Sequence, residues 1–126
     1  MGKMSMSHED YLEAIVMLGG TVDRPVRSVD IASKLGVSKA SVSKAISLLR
    51  ESGYVVQPYY GDVTLTEQGF QHASKVYERH QMLTSFLANA VGIDPEVAQE
   101  EACLMEHAIS DESFELWKEY IKKLGL

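Results

Sequence analysis

The chain has 126 residues, enough for one or two small domains with a real core, and its 45% hydrophobic and 24% charged content is that of an ordinary globular protein. No apolar run approaches the roughly 20 residues of a membrane span, residues 1–7 show no secretory leader, and the single cysteine excludes an internal disulfide framework, so a cytoplasmic setting is expected. The net charge of −6 argues against nucleic acid until it is divided: Gly20 to Gly61 holds six basic and three acidic residues, Glu78 to Glu119 ten acidic and two basic.

Residues 7–18 carry Tyr11, Leu12, Ile15, Val16 and Leu18 at amphipathic-helix spacing, with Ser7 as N-cap, Asp10 completing an imperfect capping box and Gly19-Gly20 as the stop. Asp23-Arg24-Pro25 is a turn. A short helix follows over 28–34 with Ser28 as cap, broken by Gly36. Ser38 caps a longer helix to about Ser52, which Gly53 ends. Two β-rich runs, 54–56 and 63–65, flank a hairpin tip at Tyr59-Tyr60-Gly61-Asp62. Thr66 caps a long helical pattern over 67–91. Asp94 caps the next helix, with Pro95 in its first position, and that helix runs to about Ile109. Ser110 or Asp111 caps a last helix from Glu112 to about Lys123.

Helix, tight turn, helix and hairpin, in that order over residues 28–65, is the arrangement of a winged helix-turn-helix. Ala32 is small where two helices cross, and Gly36 stands where the turn needs positive φ. Val42, Ile46 and Leu49 form the inner stripe of the second helix, Ile31 and Leu35 that of the first. Ser38, Lys39, Ala40, Ser41 and Lys44 are then outward, and short hydroxyls and lysines in the first turns of a helix suit a DNA major groove. The helix N-terminus and Ser38 can also hold a backbone phosphate, and Tyr60 at the wing tip can reach a neighbouring one. A protein-interaction module with the same fold is the competing reading; the lysines favour DNA.

Cys103, Glu106 and His107 stand at i, i+3 and i+4, on one stripe of a helix. A thiolate, a carboxylate and an imidazole so placed can hold a divalent transition metal but cannot fill its coordination shell. Asp10 and Glu13, at i and i+3 on the first helix, and His80 on the long one supply further ligands. Singly, each residue has a plainer explanation: a buried small thiol, solvated charges, carboxylates favoured by a helix N-terminus. Jointly they point to a metal site. Carboxylates with imidazole favour Mn²⁺, Fe²⁺ and Co²⁺ at high coordination number; a coordinating thiolate shifts preference toward Fe²⁺, Zn²⁺, Co²⁺ and Ni²⁺. Cys103 either coordinates or packs in the core. His8 is a surface or secondary ligand, and His72 is structural. A DNA reader beside a metal site is the pattern of a metal-sensing regulator. No general-base pair or nucleophile accompanies the ligands, so no enzyme is expected.

The strings Glu9-Asp10-Tyr11-Leu12-Glu13-Ala14-Ile15, Val29-Asp30-Ile31-Ala32, Ser41-Val42-Ser43, Leu65-Thr66-Glu67-Gln68-Gly69, Arg79-His80 and Glu101 to Asp111 span nearly the whole chain. They resemble the diphtheria toxin repressor family of metal-dependent transcriptional regulators, including its manganese-transport-regulator branch. The resemblance implies a mainly α chain: a winged helix-turn-helix DNA-binding domain (1–70), then a helical metal-binding and dimerisation domain (71–126), with metal at their junction. It implies a homodimer that binds a palindromic double-stranded operator and represses genes of iron or manganese homeostasis. Fe²⁺ or Mn²⁺ is the implied cofactor, with Co²⁺, Ni²⁺ or Zn²⁺ able to bind in vitro; no membrane is a partner. By position, Asp10, Glu13, His80, Cys103, Glu106 and His107 are the implied ligands. Asp10 and Glu13 resemble the manganese branch and Cys103 the iron branch, while Thr84 and Gln99 stand where the iron branch has ancillary ligands. A chain of this length is expected to lack the SH3-like third domain of longer members. The alternative function is a metal-independent winged-helix regulator whose helical domain binds a protein.

Overall fold

The computed structural model describes residues 6–57 and 61–125. The chain forms two compact units, Met1–Lys75 and Val76–Leu126. Its elements are α1 (Met6–Met17), β1 (Val26–Arg27), α2 (Ser28–Leu35), α3 (Lys39–Glu51), β2 (Val55–Val56), β3 (Asp62–Leu65), α4 (Glu67–Phe86), a π-helical turn (Leu87–Val91), α5 (Pro95–Glu106) and α6 (Asp111–Lys123). Most described residues are helical, and among them no helix is long and apolar enough to cross a membrane.

The first unit is a winged helix-turn-helix. On α3 the residues Val42, Ala45, Ile46 and Leu49 are buried, at i, i+3, i+4 and i+7. They meet Ile31 and Ala32 of α2 and Tyr11, Leu12 and Ile15 of α1 in one apolar cluster. Each large aliphatic side chain there contributes about 1.5–3 kcal/mol by leaving water. The α2–α3 turn depends on Gly36: its N–H makes the last helical bond to the Ala32 carbonyl, and its φ of +67° turns the Val37 N–H back onto the same oxygen at 3.1 Å.

Behind the turn lies a three-stranded antiparallel sheet in the order β1-β3-β2. Val26 pairs with Val63, Val55 with Leu65 and Val56 with Thr64. Val26, Val55, Val63 and Leu65 turn into the core. Thr66 then fastens the start of α4: its hydroxyl donates to the Gly53 carbonyl at 2.6 Å and accepts from the Gly69 N–H at 3.0 Å. Gly69 lies so close beneath the Tyr54 carbonyl that any Cβ there would collide with it.

In the second unit, Leu83, Leu87, Ala98, Ala102 and Phe114 form the core, flanked by Phe86 and Trp117, whose rings meet edge-on at 5.6 Å. Lys118 of α6 bonds Glu78 of α4 at 3.1 Å; that hydrogen bond, with the nearby charges of Glu78 and Glu115, holds its ammonium above the usual lysine range.

Several local expectations change. α1 already includes Met6, so Ser7 lies inside the helix rather than capping it. Ser28 is the first residue of α2, whose N-cap is Arg27, without a side-chain cap bond. β1 has no signal in its own two residues and exists because β3 pairs with it. The long helix loosens into a π turn from Leu87. α5 ends at Glu106, with His107 as its C-cap in a helical backbone conformation. Ser38, Thr66, Asp94 and Ser110 cap as expected: Ser38, Asp94 and Ser110 accept from Ser41, Glu96 and Ser113 amides respectively.

Candidate functional site

The residues of α3 expected to face outward do so. Ser38, Lys39, Ala40, Ser41 and Lys44 are all exposed, on the side opposite the buried stripe. The Ser38 hydroxyl is engaged as the cap: it accepts from the Ser41 N–H at 3.0 Å and donates to the Ser41 hydroxyl at 2.9 Å. As a cap it orders the first turn of α3. Tyr60 lies outside the described residues.

Two concavities flank α3. One, of about 340 Å³, runs between α3, the N-terminus of α2 and the wing, and is lined by Arg27, Lys39, Ser43 and Gln57 among others. The other, of about 310 Å³, lies toward α1 and is lined by Ser7, His8, Ser41 and Lys44 among others. Arg27, Ser43 and Gln57 thus join the face without having been singled out in the sequence. Arg27 precedes what reads as a cap, and Gln57 belongs to the wing, so only the fold brings them to Lys39.

In the first unit, α1 carries Asp10, half-buried, and Glu13, 5% exposed. They are one turn apart, and burial raises the phenol pKa of Tyr11 between them. His8 borders the α1-side concavity. His72 holds Glu9, Nε2 to carboxylate, at 2.9 Å, and its ring lies 5.8 Å from that of Tyr54, a structural role.

In the second unit, Cys103 and Glu106 lie in the last turn of α5 and His107 is its C-cap. Cys103 and His107 are half-buried. The Glu106 side chain is fully buried, and its Oε1 lies 3.3 Å from Nδ1 of His80 on α4. The structure thus brings together two candidate ligands 26 positions apart. Glu106 Oε2 is also buried and has no hydrogen-bond partner among the described residues. A buried carboxylate oxygen with no donor is costly unless a cation meets it. Carboxylate, imidazole and nearby thiolate are ligand types for a first-row divalent metal, and this donor set fits one.

Arg79, next to His80, received no role from the sequence. Its guanidinium donates to the carbonyls of Glu106 at 3.2 Å and Ile109 at 2.7 Å and pairs with Asp111. A lone arginine beside a candidate ligand in an acid-rich stretch was the available signal.

Comparison with known proteins agrees across both units. Residues 3–63 match the N-terminal DNA-binding domain of the iron dependent repressors, and residues 66–125 match their metal binding and dimerisation domain. An uncharacterised helix-turn-helix-type transcriptional regulator of Methanocaldococcus jannaschii is 39% identical over 121 residues, 95% of this chain and 96% of that one. The transcriptional regulator MntR of Escherichia coli is 35% identical over 117 residues, 93% of this chain and 74% of its own. Among solved structures, a manganese-dependent transcriptional repressor in complex with manganese superposes with a TM-score of 0.78 at 34% identity, covering 94% of this chain. The manganese regulator SloR does so with a TM-score of 0.80 at 29% identity, also over 94% of this chain. This chain spans about half the length of those two, 52% and 55%. With both family domains matched in order and a full-length relative at 39% identity, the chain belongs to the iron-dependent repressor family, that of the diphtheria toxin repressor.

Proposed function

We propose that this protein is a metal-activated transcriptional repressor that binds a palindromic operator as a homodimer in the cytoplasm and controls genes of iron or manganese homeostasis. The observation that carries the reading is the Glu106 carboxylate, buried against His80 with one oxygen lacking a donor, in a chain whose other unit presents Lys39 and Lys44 on an exposed reading helix. Residues 1–70 serve as the reader and 71–126 as the metal-binding and dimerisation part. Leu104, Leu116 and Tyr120, 65%, 68% and 57% exposed on α5 and α6, supply apolar surface of the kind a second copy covers.

Asp10, Glu13, His80, Cys103, Glu106 and His107 hold the metal. Fe²⁺ or Mn²⁺, when bound, supplies the positive charge that lets three carboxylates share one site. Because Asp10 and Glu13 belong to the reader and the other four do not, filling the site restricts the reader and biases the population toward the form that fits an operator. A coupling of a few kcal/mol is enough for a useful switch. Lys39, Ala40, Ser41 and Lys44 face the DNA together with the Ser38-capped turn, and Tyr60 at the wing reaches an adjacent phosphate. No residue is assigned a catalytic role.

Fluorescence anisotropy with labelled DNA from upstream of the protein's own gene tests the reading. Affinity rises with Fe²⁺ or Mn²⁺ and falls with chelator. Equal affinity in excess chelator would instead support a metal-independent regulator. Cobalt loading decides the role of Cys103: coordination gives a sulfur-to-metal charge-transfer band that Cys103→Ala abolishes. Without the band, Cys103 is a packing residue and the remaining oxygen and nitrogen ligands suit Mn²⁺.

A further inference from the structure

Arg79 and His80 are consecutive on α4 and close on the same residue of α5. His80 Nδ1 lies 3.3 Å from the Glu106 carboxylate, while Arg79 Nη1 donates to the Glu106 backbone carbonyl at 3.2 Å. The same nitrogen donates to the Ile109 carbonyl at 2.7 Å, and Nη2 pairs with Asp111, the first residue of α6. The guanidinium carbon sits 4.9 Å from the centroid of the buried Phe114 ring. The Arg79 side chain is only 14% exposed.

Helix α5 ends at Glu106; the Met105 carbonyl is met by the Ala108 N–H at 3.0 Å, and the Glu106 and Ile109 carbonyls are met by Arg79. A cation at that end opposes fraying and complements the helix dipole. Fraying there matters because the last turn carries Cys103 and Glu106, and His107 caps it. We propose that Arg79 is a positioning residue of the metal centre: by clamping the α5–α6 corner to α4, it presents the Glu106 carboxylate to His80 before metal arrives. Asp111 balances its charge, so Arg79 does not act by repelling the cation. The planar fork matters as much as the charge, because a lysine ammonium is a compact point charge whose three rotatable donors do not hold two carbonyls and a carboxylate in a fixed geometry. The proposal rests on the metal-binding reading above.

Cobalt titration of the full chain, followed by its d–d absorption, tests this against circular dichroism and apo melting. Arg79→Lys weakens cobalt binding by about tenfold or more, within the 10–100-fold range of outer-partner losses, and shifts the d–d bands while helix content is kept. Lys118→Gln is the control: it cuts another tie from α6 to α4, through Glu78, without touching the end of α5. It leaves cobalt affinity and bands as in the parent. Parent-like affinity and bands in Arg79→Lys, even with a lower apo melting temperature, overturn the proposal. Equal losses in both variants do so as well. Should the unaltered protein bind no cobalt, the metal reading itself fails and this proposal with it, an outcome distinct from a parent that binds and a variant that binds equally.

Discussion

Helices α3 and α5 are nearly the same length, 13 and 12 residues, and use their inner faces differently. α3 buries Val42, Ala45, Ile46 and Leu49 and leaves its serines and lysines outside. α5 buries Ala98, Ala102 and Glu106, a stripe at i, i+4 and i+8 that begins with methyl groups and ends with a carboxylate. In α3 the packing stripe and the proposed DNA-reading residues occupy opposite sides of one rod. In α5 the packing stripe itself ends in Glu106, a proposed metal ligand. A substitution on the outside of α3 should therefore touch function alone, whereas one at Glu106 should move metal affinity and apo stability in different directions.

The largest effect is expected at Glu106. Glu106→Gln keeps the shape and removes the buried charge. Metal affinity, measured by calorimetry, should fall by more than the roughly 100-fold that losing an outer partner costs. The metal-free melting temperature should hold or rise, because a carboxylate oxygen without a donor is no longer buried. A lower melting temperature with undiminished metal affinity would make Glu106 a structural residue and erase the contrast with α3.

Next comes the exposed side of α3. Replacing Lys39 and Lys44 with alanine should weaken operator binding and reduce the salt slope by about 1.8, roughly 0.9 for each phosphate left without its lysine. Stability should stay within about 0.5 kcal/mol, since both side chains are exposed. Metal affinity should not change. An unaltered slope would move the DNA surface off this helix.

The smallest effect is expected at Ser38, where the two roles of α3 meet. Ser38→Ala removes the bond to the Ser41 amide and should cost about 1 kcal/mol in urea unfolding. If unfolding is unchanged while DNA affinity drops, the hydroxyl serves the ligand rather than the helix.

What the sequence revealed depended on how local each signal was. Ser38, Thr66, Asp94 and Ser110 are caps whose partners lie two or three residues away, so their chemistry is written in adjacent positions. The stripe of α3 repeats every three or four residues and is equally plain. The spacing of Cys103, Glu106 and His107 marked a shared face, and that face proved to include a buried carboxylate. Pairings set by tertiary packing were not visible in the same way. Strand β1 is two residues that pair with Val63 and Asp62, more than thirty positions later. The approach of Arg79 to Ile109 spans 30 residues, while that of His80 to Glu106, 26 residues apart, is expected only through shared ligand chemistry and the family resemblance. The π turn at Leu87–Val91 follows an unbroken helical pattern, and nothing in Leu-Ala-Asn-Ala-Val announces a wider winding. Ser28 and Ser7 carry cap chemistry but lie inside their helices, a shift of one position or more that propensity does not resolve.

The sheet order β1-β3-β2 puts the longest strand in the middle and leaves two residues on each outer strand. An outer strand offers its free amides and carbonyls to any chain that comes alongside, and the hazard grows with its length. Two residues form too short a template to hold a foreign strand. An edge of that length is a poor nucleus for strand-to-strand association between copies of the chain.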